Sequence, residues 1–145
     1  MDTSRKTKRG TAKLNITRSY QATMTASRSV MVKDFTYRDF KKIADKVPFT
    51  QKEWSDILHI SERTIQRYAK DDGSFTFNVI DRILQIDKVI KKGAEVFGAP
   101  EKFIGWLRTE PFMLEGKLSM QSLSDFEGIT RVLTQLGRIE HGLFT

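Results

Sequence analysis

From Phe35 to Ile139 the apolar residues recur at helical spacing almost without a break, and no convincing β alternation competes with them. That period confines the chain to an all-α fold. Phe35, Phe40, Ile43, Ala44 and Val47 fall on one stripe; Trp54, Ile57 and Leu58 form a second; Ile65, Tyr68 and Ala69 a third; Val79, Ile80, Ile83, Leu84, Ile86 and Ile90 a fourth. Beyond Pro100, a good first-turn residue, Phe103, Ile104, Trp106 and Leu107 mark a short helix, and Phe126, Ile129, Val132, Leu133, Leu136 and Ile139 mark the last one. Asp71-Asp72-Gly73-Ser74 and the stretch from Thr109 to Ser119 are the clearest breaks. The pattern predicts one helical domain over residues 31–92 and a smaller one over 93–145, with the long fourth helix linking the halves.

The chain's 145 residues fit one typical domain or two small ones. Zero cysteines exclude disulfides, thiolate metal sites and a Cys nucleophile, and fit a reducing, cytoplasmic setting. No apolar run approaches the roughly 18 residues that a membrane span needs, so no membrane partner is expected. The net charge of +7 is unevenly placed. Residues 1–30 hold seven Lys/Arg against one Asp, residues 31–92 thirteen basic against ten acidic, and residues 93–145 five against seven. The first segment is Ser/Thr-rich without a helical period and reads as a disordered basic arm, which either adds phosphate contacts or keeps the chain soluble. A mildly basic middle and a mildly acidic end suit different partners.

The stretch Thr50 to Lys70, TQKEWSDILHISERTIQRYAK, has the pattern of a helix-turn-helix. Trp54, Ile57 and Leu58 face Ile65 and Tyr68 across a tight turn at Leu58-His59-Ile60, Ser55 is small where the helices approach, Ile60 points coreward, and Ser61 caps the second helix. That helix turns Glu62, Arg63, Gln66, Arg67 and Lys70 outward, with Thr64 in its first turn, as a helix entering a major groove requires. Arg63 suits guanine and Gln66 adenine, while Gln51, Arg67 and Lys70 suit phosphates. The same residues would also serve as the solvated face of an ordinary α-hairpin; agreement of cap, turn and inward residues favours double-stranded DNA. His59 stands where such turns usually carry glycine, and His tolerates the left-handed conformation at about 1 kcal/mol.

His59 and His141 are the chain's two histidines, and neither has a partner at ligand spacing. No phosphate-binding glycine loop and no constellation of carboxylates stands out, so no metal, no cofactor and no enzyme is expected.

The end of the chain reads Gly137-Arg138-Ile139-Glu140-His141-Gly142-Leu143-Phe144-Thr145. Either Leu143 and Phe144 fold back beside a glycine cap or they are offered to a partner. Gly137 itself suits a close helix crossing, and Phe97-Gly98 a helix end with a left-handed cap. Glu95-Val96-Phe97-Gly98, Trp106-Leu107-Arg108-Thr109, Leu114-Glu115-Gly116-Lys117, Gly128 with Val132 and Leu136, and Gly137 to Gly142 together resemble, in order and spacing, the antitoxins of the Xre/MbcA/ParS type, whose toxins are RES-domain proteins. The resemblance covers about residues 94–144, with an Xre-like helix-turn-helix upstream. It departs from the family at Glu115, where Gly is usual, and at Ser119, where Pro is usual. It implies a homodimer that represses its own toxin–antitoxin operon and covers the active site of an NAD-depleting toxin. Arg138, Glu140, His141, Leu143 and Phe144 would then lie at or near the toxin's cleft, and Trp106 and Leu107 in the core. A plain helix-turn-helix regulator without a toxin partner is the alternative.

Overall fold

Thr36 opens the first helix, α1 (Tyr37–Ala44), by donating its backbone N–H to Asp39 Oδ2 at 3.0 Å, so an orphan donor is satisfied at the N-terminus. The computed structural model describes residues 35–142; the basic arm expected over residues 1–30, and Leu143 and Phe144, lie outside the described residues. After α1 come α2 (Gln51–Leu58), α3 (Glu62–Asp71), α4 (Phe77–Phe97), α5 (Pro100–Arg108), a hairpin of β1 (Phe112–Met113) and β2 (Gly116–Lys117), a 3-10 helix (Met120–Ser124), and α6 (Phe126–Glu140). The architecture is all-α as the period requires; among the described residues it is interrupted by the hairpin, set in the stretch read as a break, and by an isolated antiparallel bridge between Thr36 and Ser74.

An aromatic cluster holds the first three helices together. Phe40 meets Trp54 edge-on at 5.0 Å between ring centroids and Phe75 at 5.4 Å, while Tyr68 meets Phe75 at 4.9 Å. Phe75 is 1% exposed and lies in the link between α3 and α4. That link is fixed at its start by Gly73, whose carbonyl accepts from the Tyr37 N–H at 3.0 Å, so the break at Asp71 to Ser74 is an ordered crossing rather than a slack loop.

The core continues through Ile80, Ile83, Ile86, Val89 and Ile90 of α4 onto Phe103, Ile104 and Leu107 of α5 and Ile129, Val132 and Leu136 of α6. Gly93 permits the closest part of this packing: a Cβ there would sit 2.2 Å from the Phe103 ring. Gly98, at φ +92°, ends α4 in the left-handed cap expected of it. The long fourth helix runs through Lys92 unbroken, and the described residues from Phe35 onward form one compact unit. The halves therefore share one core along α4.

Several expected core positions lie elsewhere. Phe126 is 69% exposed because it is the first residue of α6, where the side chain leans back past the helix start and finds no turn beneath it. Ala69 is exposed, and Ile60, Val79, Leu84, Trp106, Leu133 and Ile139 are half-buried. Leu118 and Leu123, outside any periodic stretch, are buried instead.

Candidate functional site

Thr50 and Glu53 form a reciprocal cap on α2: the Glu53 N–H donates to Thr50 Oγ1 at 3.0 Å and the Thr50 N–H to Glu53 Oε1 at 2.9 Å. The helix ends at His59, which adopts φ 56° and ψ 38°, the left-handed conformation the turn demands. The turn is closed by the Ile60 N–H on the Ser55 carbonyl at 3.2 Å and by the Ser55 hydroxyl, which donates to the Ile60 carbonyl at 2.5 Å. Ser55 is thus a fastener of the turn as well as a small residue. Ser61 then caps α3, its hydroxyl accepting from the Thr64 N–H at 3.0 Å.

With Ile65 buried on its inner side, α3 leaves Glu62, Arg63, Gln66, Arg67 and Lys70 exposed, while Thr64 is half-buried. Ser61, Arg63, Thr64, Gln66, Arg67 and Lys70 line one open groove. The Gln66 amide donates to Gln51 Oε1 at 2.9 Å, which links the first turn of α2 to α3 and holds both amides at one edge of that groove. Among the described residues Arg63, Arg67 and Lys70 form no salt bridge; the Arg67 guanidinium lies 5.6 Å from the centroid of the Tyr68 ring. Of the eight residues read as a DNA face, six line that groove, with Ser61 and Thr64 engaged in the cap; Gln51 joins them through its bond to Gln66, and Glu62 is exposed in the first turn of α3 outside the lining.

The residues at the other end of the molecule are held differently. Arg138 Nη2 donates to Glu115 Oε1 at 3.2 Å, tying α6 to the hairpin tip. Glu140 accepts from the Lys92 ammonium of α4. That bond holds the Glu140 carboxyl below the ordinary range and raises the Lys92 ammonium, in each case against a smaller opposing effect of burial. His141 caps α6 and is exposed, and Gly142 follows at φ +73°. The close helix crossing expected at Gly137 is not there: among the described residues nothing lies within 4 Å of where its Cβ would be. Gly128 is the tightly packed glycine of α6, its Cβ position 2.0 Å from the Ser122 carbonyl oxygen.

Two further contacts join the ends of α2 to the second half of the chain. Arg108 Nη2 donates to the Pro48 carbonyl at 2.7 Å and to Glu53 Oε1 at 3.0 Å. The His59 ring donates through Nε2 to the Ser124 carbonyl at 2.6 Å. Burial alone would raise the Glu53 carboxyl, but hydrogen bonds from Thr50 and Arg108 and the Arg108 charge outweigh it and hold it low.

Comparison with known proteins finds two family matches in register with this architecture. Residues 23–86 match the antitoxin Xre-like helix-turn-helix domain, and residues 92–142 match the antitoxin Xre/MbcA/ParS C-terminal toxin-binding domain. The chain belongs to the Xre-type antitoxins. It is similar to Antitoxin Xre of Yersinia enterocolitica, 34% identical over 88 residues, which amount to 59% of each chain. It thus spans about three fifths of the length of that curated relative. The helix-turn-helix match begins inside the segment read as a basic arm, and the toxin-binding match takes in the hairpin, the 3-10 helix and α6.

Sequence reading missed the Gln51–Gln66 bond, the Arg108 and His59 contacts and the hairpin. The spacing of Gln51 and Gln66 around the turn offered a signal for the first. The Arg108 and His59 contacts join residues 55 to 65 positions apart, beyond the reach of any local pattern. Among the described residues no group of three His, Asp or Glu is placed to hold a metal ion, and no helix is long and apolar enough to cross a membrane.

Proposed function

We propose that this antitoxin neutralises a cognate RES-domain toxin that degrades NAD, covering the toxin's active site with the end of α6, and that it represses its own operon by binding operator DNA as a homodimer in the cytoplasm. The observation that carries the reading is the pairing, in one compact body, of an exposed basic recognition face on α3 with a separate segment that matches a toxin-binding domain. For DNA, Arg63 and Gln66 read base edges, while Gln51, Arg67 and Lys70 meet phosphates, with Ser61, Glu62 and Thr64 setting the start of the helix against the groove. A dimer places two copies of α3 at two half-sites about one helical turn apart.

For the toxin, Arg138, Glu140 and His141 stand at the C-terminal end of α6, with Leu143 and Phe144 next in the chain. A pocket that holds a dinucleotide is lined with polar and cationic groups, and an acidic, apolar helix end complements it. The Arg138–Glu115 and Glu140–Lys92 pairs keep that end in one orientation, which lowers the ordering cost of binding.

Co-expression tests the reading. If a RES-domain reading frame adjoins this gene, its product alone should arrest growth and deplete NAD, and the intact chain should restore both. Growth arrest in the presence of the intact chain would sink the proposal.

A further inference from the structure

Among the described residues the large apolar side chains left in solvent are Phe112 at 82% exposure, Leu114 at 72% and Phe126 at 69%. All three fall inside the segment that matches a toxin-binding domain. Phe112 stands on β1 and Leu114 opens the turn of the same hairpin, two positions apart around the half-buried Met113, and both are exposed.

A hairpin of two-residue strands has little stability of its own. This one is secured at several points. Phe112 pairs with Lys117 and Met113 with Gly116. The Leu118 N–H donates to the Pro111 carbonyl at 3.0 Å, Leu118 is buried at 1% exposure, and Lys117 pairs with Glu110 at 3.1 Å. Glu115, at the tip, accepts from Arg138 of α6. The chain therefore holds two apolar side chains rigidly in water, next to the helix end assigned above to the toxin. Single exposed apolar residues are ordinary, but a fixed adjacent pair has the character of an interface anchor, since rigidity removes the ordering cost that binding would otherwise incur.

We infer that Phe112 and Leu114 form a second toxin anchor, docking in an apolar recess on the toxin surface outside the active-site cleft. The inference rests on the toxin-neutralising reading. Continuity chooses the toxin over a second copy of the chain: the Glu115–Arg138 bond makes hairpin tip and helix end one surface, and that surface lies wholly within the matched toxin-binding segment. The two parts divide the work, with the helix end entering the cleft and the hairpin supplying apolar burial beside it.

The test uses the full chain carrying Phe112→Ser with Leu114→Ser and the purified product of the adjoining RES-domain gene. Both side chains are exposed, so the thermal midpoint of the variant should match that of the parent. Its Kd for the toxin should rise about tenfold to a hundredfold, chiefly through faster dissociation, with its mass by light scattering unchanged. An unchanged Kd while the parent binds tightly overturns the inference alone. A fall in mass with unchanged toxin affinity also overturns it, by assigning the hairpin to a second copy. Failure of the parent to bind the toxin removes the neutralising reading and this inference with it.

Discussion

The two halves of the molecule expose opposite kinds of side chain. On α3 the apolar residue Ile65 is buried, and Arg63, Arg67 and Lys70 stand in water without an ion-pair partner among the described residues. Around the end of α6 the balance shifts: Arg138 and Glu140 are paired within the chain, and the hairpin that Arg138 bonds carries the exposed large apolar residues Phe112 and Leu114. An unpaired cationic face suits a polyanion, because each cation released from water toward a phosphate also frees a counterion. A face with its charges already paired and its apolar groups exposed suits another folded protein, where apolar anchors carry most of the affinity. One core along α4 supports both, so each surface can specialise without a separate domain of its own.

The largest expected effect tests the shared core. In Gly128→Ala the new methyl meets a backbone oxygen that has no flexible side chain to move, so a loss of about 3 kcal/mol is expected in chemical denaturation, and both binding activities should weaken together. Loss of one activity alone would mean that the halves are less unified than their packing indicates.

Next comes the DNA face. Arg63→Ala should relax base preference by about 1–3 kcal/mol at one position of the operator, whereas the Arg67→Ala, Lys70→Ala double variant should weaken binding to every sequence and lower the salt slope by about 2. Toxin affinity should not move in either. An unchanged salt slope would reduce α3 to an oligomerisation element.

Gly137→Ala sharpens the contrast with Gly128, since the same substitution in the same helix should act in the opposite direction. With open space at its Cβ position among the described residues, Ala should stabilise the free chain by about 1 kcal/mol, seen as a higher thermal midpoint. If the toxin approaches that surface closely, its affinity should fall even as stability rises.

The smallest effect concerns pH. Glu53 is held below its ordinary value in the folded chain, so its contribution to stability is present above the unfolded carboxylate pKa and is lost as pH falls through the folded one. Glu53→Gln should flatten the acid side of the stability profile, and Arg108→Ala should do part of the same by removing the charge beside it. Identical acid limbs in parent and variants would contradict this role for the Arg108 contact.

The helix-turn-helix was legible because its parts are local: Ser55, the left-handed His59, the Ser61 cap and the inward Trp54, Ile57 and Ile65 lie within one short stretch and point to one geometry. The core of α4 was legible for the same reason. Phe75 and Leu118 were not, because each sits alone between elements, and burial there depends on chain crossings that no period records. The hairpin escaped notice since two-residue strands have no alternation to detect. Phe126 followed the helical stripe but stands at its first position, where the stripe has nothing to cover. Arg138 and Glu140 could be placed on the last helix, but not their partners Glu115 and Lys92, which lie on other elements. Those partners turn free charges into a fixed end.

The central claim is that two interfaces of opposite character share one body and can be separated. Deleting residues 137–145 tests it most directly, since the cut removes the helix end and leaves α3 and the core position Leu136 in place. Operator affinity and rescue from the toxin would be measured on the same truncated protein. Operator binding should persist while rescue is abolished; rescue that survives the deletion would contradict the claim.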